Sequence, residues 1–218
     1  MAELRSEEEQ LDVIKRWWKE NGTSLIAGAV IAAAGVFGWH AWQDYQEGQA
    51  AAASVRYQQL LTIANLPEQG AEQLDSAKQL VNELNDDYGS TLYAELGLLL
   101  EARLAVGQND LDGAREALER AADGASRDYV KSLAWLRLAR IEIAQGNPEQ
   151  ALELLDEPIV DALAAQRLDV RGDAYAALGD RDNARKAWQE ALAADGQSQS
   201  LYGIQFKLDD LGAKEATS

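Results

Sequence analysis

Hydrophobic and polar positions divide this chain sharply. Residues 21–43, NGTSLIAGAVIAAAGVFGWHAWQ, contain no Asp, Glu, Lys or Arg, whereas the pattern after them is polar, acidic and helical. At a rise of about 1.5 Å per residue, the apolar part over 25–42 reaches roughly 27 Å, close to the hydrocarbon thickness of a bilayer. Trp17 and Trp18 precede the run and Trp39 and Trp42 close it, so four of the six tryptophans fall at the two expected interfaces. The pattern predicts one membrane-spanning helix. A core helix seldom runs this far without a charge. A cleaved signal needs a small-residue site close behind its apolar stretch, and the run Ala50-Ala51-Ala52-Ala53-Ser54 lies beyond Asp44 and Glu47.

Lys15, Arg16 and Lys19 stand just before the span, and the first basic residue after it is Arg56. That asymmetry predicts a cytoplasmic N-terminus and sends residues 44–218 across the membrane. Residues 4–19 read as an amphipathic helix, with Leu4, Leu11, Ile14 and Trp18 at helical spacing. It suits either a segment lying at the inner membrane face or a cytosolic tail that only anchors the span. Within the span, Gly28 and Ala32, Ala29 and Ala33, and Ala34 and Gly38 form small-xxx-small pairs, and Gly35 adds to them. Such residues let helices approach closely, so Gly28, Ala32, Gly35 and Gly38 are candidate packing positions. His40, the only histidine, reads as an interfacial side chain.

Helical patterning continues from Asp44 to Ala64, breaks at Leu66-Pro67, resumes to about Leu84 and ends in NDDYGS. Beyond this a repeat is legible. Residues 136–157 align with 169–190: Gly146 and Gly179 are 33 apart, as are Ala151 and Ala184, and Leu155 matches Trp188. Residues 95–122 follow the same plan, with Ala114 37 before Ala151. Each unit reads as a helix, a glycine turn and a second helix whose early Ala allows a close crossing. The last unit holds Gly172, Tyr175, Gly179, Ala184, Trp188 and Ala191 in phase, which is the tetratricopeptide (TPR) pattern. Leu201, Ile204, Leu208 and Leu211 mark a final capping helix, and the closing KEATS is expected to be disordered. The predicted fold is all-α: a tail at 1–20, a signal anchor at 21–43, a helical linker and first helical pair at 44–90, and TPR-like repeats with their cap at 91–218.

Composition narrows the function. Net charge is −17, and residues 44–218 carry 16 basic against 31 acidic side chains. No basic stripe offsets that repulsion, so nucleic-acid phosphates are poor partners. The absence of cysteine excludes disulfides, thiol catalysis and Cys-based zinc sites. No phosphate loop, Ser/His/Asp set or HExxH appears, so neither catalysis nor a cofactor is expected. Asp86-Asp87 and Asp209-Asp210 read as solvated acids in a turn and at a helix end, and the oxygen-rich turns at 110–114 and 179–183 lack EF-hand spacing.

What a TPR-like domain offers instead is the face made by the first helix of each pair. The repeat alignment puts Leu96, Leu99, Arg103 and Val106 there in one unit, and Leu133, Leu136, Arg140 and Ile143 in the next. Gln166, Asp169, Asp173 and Ala176 follow in the last. Apolar positions with an Arg suit an apolar peptide or partner helix better than an acidic C-terminal tail. The same positions could equally form interhelical core or be covered by the helices of 44–85.

DVIKRWWKENG at 12–22, GWHAW at 38–42, LRLAR at 136–140, RGDAYAALGDRDNARKAW at 171–188 and the KLDDL ending together resemble the YfgM family. The resemblance covers essentially the whole chain. It implies a bacterial inner-membrane protein with one N-terminal span and a periplasmic TPR-like domain, acting as an ancillary subunit of the SecYEG translocon. It further implies association with the membrane-anchored periplasmic chaperone PpiD, and help in passing unfolded secretory proteins to periplasmic chaperones. The family supplies no catalytic residues. An alternative is an envelope stress or assembly adaptor in which either end binds a regulatory protein, supported mainly by the acidic amphipathic tail at 1–14.

Overall fold

The computed structural model describes residues 7–194 and 202–216, and every regular element among them is helical. The chain divides into two units, Met1–Gln49 and Ala50–Ser218. Helix α1, Glu7–Ala64, supplies the described part of the first unit and the opening of the second. Within α1 lies a stretch long and apolar enough to cross a membrane. Its large side chains Ile26, Val30, Ile31, Val36 and Phe37 are all exposed, as suits a helix surrounded by lipid. The tail predicted at 4–19 is part of this helix from Glu7 onward; Leu4 lies outside the described residues.

In the second unit, α1 ends before Leu66-Pro67, because a residue preceding proline is pushed out of the helical region. Helix α2 spans Ala71–Tyr88, so Asp86 and Asp87 sit in its last turn rather than in the turn expected there. Helices α3 (Leu92–Gly107), α4 (Leu111–Gly124), α5 (Asp128–Ala144), α6 (Pro148–Leu154), α7 (Ala164–Ala177) and α8 (Arg181–Ala194) then form successive hairpins. Helix α9, Tyr202–Ala216, packs on α8. It extends through Lys214, Glu215 and Ala216, correcting the disorder expected for that ending; Leu201, Thr217 and Ser218 lie outside the described residues.

All three hairpin turns share one geometry. The amides of Asn109, Gly146 and Gly179 donate to the carbonyls of Val106, Ile143 and Ala176 at 2.9, 3.1 and 3.0 Å. The next amides, of Asp110, Asn147 and Asp180, each donate to the carbonyl five residues back at 2.9 Å. This pairing satisfies the last carbonyls of each first helix and requires a left-handed residue between them. Gly146 and Gly179 adopt it at φ 86° and 79°, and Asn109, among the most tolerant of non-glycine residues, at 59°. Asp110 then caps α4 by accepting from the Gly113 amide at 2.9 Å.

One second helix departs from the pattern: α6 has 7 residues where α4 and α8 have 14. Pro158 is the reason, since continuing the helix through it would need an N–H that proline lacks and would drive its ring into the Leu154 carbonyl. The chain instead returns over α5, where the Val160 amide donates to Ser132 Oγ at 3.1 Å. A short 3-10 turn, Asp161–Leu163, leads into α7.

Hydrophobic burial follows chain order. A first cluster joins the end of α1 to α5 through Leu60, Val81, Leu84, Leu98 and Leu118. Leu136, Ala139, Leu155 and Val170 form a second between α5 and α7, and Ala184, Trp188, Ile204 and Leu211 a third reaching α9. Buried carboxylates pin the joints. Glu95 accepts from the Ser126 amide, the Ser126 hydroxyl and the Arg127 guanidinium at 2.9, 2.8 and 2.8 Å.

Candidate protein-binding face

Because α3, α5 and α7 enter equivalent turns, equivalent positions on them come into register. Leu99 and Leu136 point inward, 3% and 1% exposed, within the hydrophobic clusters. Leu96, Leu133 and Ile143 are half-buried, packing on the same clusters while keeping part of each side chain at the surface. Val106 is exposed. Gln166 and Ala176 are half-buried on α7. The predicted face is therefore part core and part surface, and its surface is set mainly by charged residues.

Arg103 is exposed and donates to Asn65 Oδ1 just beyond the end of α1, at 3.2 Å. Arg140 pairs with Asp169 at 3.4 Å. Asp169 and Asp173 together receive the Lys207 ammonium of α9, at 2.7 and 2.5 Å. Trp188 Nε1 donates to the Asp169 carbonyl and to Asp173 Oδ1, both at 3.2 Å, and Lys207 lies 5.6 Å from the centre of the indole. The polar third unit is thus a neutralised cluster closed by the capping helix. Burial raises the Asp173 carboxyl above the ordinary Asp range, against the opposing pull of Lys207.

Arg137 belongs to this surface although the repeat alignment did not single it out. Its equivalents are Leu100 and Val170, both buried, so periodicity files position 137 under core. In the structure its guanidinium reaches back to the Leu99 carbonyl at 3.4 Å. Burial lowers its pKa, and the charges of Arg140 and Arg103 lower it further, yet it remains a cation at neutral pH. Tyr57 and Tyr93 pack beside each other on the same part of the domain, ring centres 5.6 Å apart.

Elsewhere, residues of α2, α3 and α4 line a partly open cleft of about 400 Å³, with Val81, Leu104 and Ala117 in its lining. Arg120 and Glu101, both in its lining, pair at 3.1 Å, and burial raises the Glu101 carboxyl. No group of three His, Cys, Asp or Glu among the described residues is arranged to hold a metal ion. In the first unit, Gly28, Gly35 and Gly38 have open space where a side chain would project, and Ala32 is exposed. Gly28, Ala32 and Gly35 follow helical spacing along one face.

A tetratricopeptide repeat-like domain family matches residues 15–213. A protein of Aggregatibacter actinomycetemcomitans named ancillary SecYEG translocon subunit is 34% identical over 212 residues, covering 97% of this chain and all of the relative. Proteins of the same name from Haemophilus influenzae and Escherichia coli are 28% and 29% identical, each over 97% of this chain and 100% and 99% of the relative. No solved structure matches the chain. With its long apolar N-terminal helix, its phased hairpins and relatives that cover nearly its full length, the chain belongs to the YfgM family of tetratricopeptide repeat-like proteins.

Proposed function

We propose that this protein is a non-catalytic, single-pass adaptor of the SecYEG translocon in the bacterial inner membrane. Its N-terminus faces the cytoplasm and the unit from Ala50 faces the periplasm. The first-helix face built from α3, α5 and α7 binds a PpiD-like chaperone and helps pass emerging secretory proteins to periplasmic chaperones. The carrying observation is that relatives bearing the translocon-subunit name align over 97% of the chain. The charge asymmetry around the span supports the orientation. A repeat domain with partly apolar, partly charged first helices supports a binding role.

Affinity purification of the full chain from gently solubilised membranes tests the reading. SecY, SecE or SecG and a PpiD-like chaperone are expected in the eluate by mass spectrometry. Recovery of none of them from membranes whose translocon stays intact would reject it. Orientation is checked separately, because the chain has no cysteine of its own. In spheroplasts, a membrane-impermeant maleimide should label Ser218→Cys and leave Arg5→Cys unlabelled.

A further inference from the structure

Residues 44–218 hold 31 acidic side chains and 16 basic ones, so a base without a carboxylate partner has to be explained. Arg56, Arg115, Arg120, Arg127 and Arg171 each reach a carboxylate, at 3.6, 3.0, 3.1, 2.8 and 2.5 Å. Arg103 and Arg137 instead donate to an amide oxygen and a backbone carbonyl, and Arg181 at the start of α8 donates to the Leu211 carbonyl at 2.6 Å; of these, Arg103 and Arg137 lie on the first-helix face. Arg140 shares Asp169 with Lys207. Among the described residues, four cations, Arg103, Arg137, Arg140 and Lys207, thus stand with two carboxylates, Asp169 and Asp173, in these contacts. A local excess of positive charge persists on a domain whose total is strongly negative. Arg137 bonds the Leu99 carbonyl one helical turn before Arg103 and stands one turn before Arg140 on its own helix, so both neighbouring charges act on it, and an anion among the three would offset that repulsion.

The order of side chains along the helices narrows what that is. On α3 the surface runs Leu96, Arg103, Val106; on α5 it runs Leu133, Arg137 and Arg140, Ile143. Apolar positions flank the arginines on both sides, so a bound chain must continue in both directions past its negative charge. We propose that this face recognises an internal Asp or Glu flanked by apolar residues in an extended segment of a protein partner, the carboxylate seated among Arg103, Arg137 and Arg140. A planar guanidinium suits that role, since it offers paired donors to both oxygens of a carboxylate. The assignment rests on the adaptor reading above and specifies the chemistry its binding face selects.

The test uses the full chain in zwitterionic nanodiscs and a short fluorescein-labelled, C-terminally amidated peptide with a Leu-Glu-Leu core, followed by anisotropy. It should bind about tenfold more tightly than its Leu-Gln-Leu counterpart, the value of one charge-assisted contact. The preference should shrink as ionic strength rises. Arg103→Gln, at an exposed position, should abolish most of it. Arg103→Lys should restore part, and Lys186→Gln on α8, an equal loss of charge, should leave it intact. For the half-buried site, Arg137→Lys keeps the charge and reports on geometry with little risk to folding. Equal binding of the two peptides, or a preference that survives Arg103→Gln, overturns the proposal. So does a Leu-Gln-Leu peptide with a free C-terminal carboxylate binding more tightly than the Glu probe. Competition by phosphatidylglycerol vesicles, with no discrimination between the peptides, would assign the arginines to lipid and also overturn it. A parent chain that co-purifies with SecYEG but shows no Glu preference removes this inference and leaves the adaptor reading standing. One that fails to co-purify removes that reading.

Discussion

Hairpins α5/α6 and α7/α8 enter their turns through matching glycines with the same pair of backbone hydrogen bonds, then diverge. In α7/α8 the crossing is filled by Trp188 lying on Gly172; in α5/α6 the equivalent positions are Leu155 and Ala139. Large opposes absent in one, medium opposes small in the other, and all four side-chain positions are buried. The difference teaches that the turn is a local backbone device whereas the crossing is a fit of volumes. Only the last hairpin spends its bulk on one aromatic ring, and that ring also organises the carboxylates that receive α9.

The largest break in this symmetry should come from truncating the two fillers. Trp188→Ala is expected to cost about 3–5 kcal/mol, and Leu155→Ala about 2–5, by chemical denaturation. Trp188→Ala should in addition release α9, seen as early deuterium uptake there, because it removes the indole beside Lys207 and the floor beneath Ile204 and Leu211. Leu155→Ala should leave α9 protected.

Exchanging the small partners gives the next effect. A Cβ on Gly172 would stand 2.4 Å from Trp188 Cδ1 and Nε1, so the ring must shift and strain its bonds to Asp169 and Asp173. Gly172→Ala should cost about 1–3 kcal/mol despite alanine's better helix propensity. Ala139→Gly introduces no clash and should cost about 1 kcal/mol. In the turns, Gly146→Ala and Gly179→Ala should cost similar amounts, about 1–2 kcal/mol each, since both force a left-handed alanine. Unequal values would show that the two turns are less alike than their hydrogen bonds.

The smallest effect is a pH dependence particular to the last hairpin. Burial holds the Asp173 carboxyl above its ordinary range, so the folded protein keeps that proton to higher pH than the unfolded chain does. The cost to stability is complete above the folded pKa and gone below the unfolded one. Acidifying from neutral pH through that window should therefore raise the Tm of the parent relative to Asp173→Asn. Arg140 occupies the equivalent place in the middle hairpin and brings no carboxyl.

The hairpin spacing was legible because Gly146, Gly179 and the Ala at 114, 151 and 184 serve steric demands that few other residues meet. Asn109 was not legible as the third turn residue, since its left-handed conformation leaves no glycine to read. The shortness of α6 was written in Pro158, but aligning the two units through residue 157 hid it. The candidate face was half legible. Phase alone put Arg103 and Arg140 together, yet it could not separate Leu99 and Leu136, which face inward, from Leu96 and Leu133, which keep part of their surface. Arg137 and Lys207 escaped because their roles depend on reaching another helix, and no periodicity encodes reach.

The placement of Trp188 against α9 also bears on the order in which the domain can mature. Each of the first two clusters closes on residues no later than α7, so those hairpins can settle as the chain is made. The third cluster waits for Ile204 and Leu211. Until α9 arrives, Trp188 lacks part of its cover and Asp173 lacks its ammonium partner. The last hairpin is therefore the stretch that stays open longest to proteases and quality-control factors.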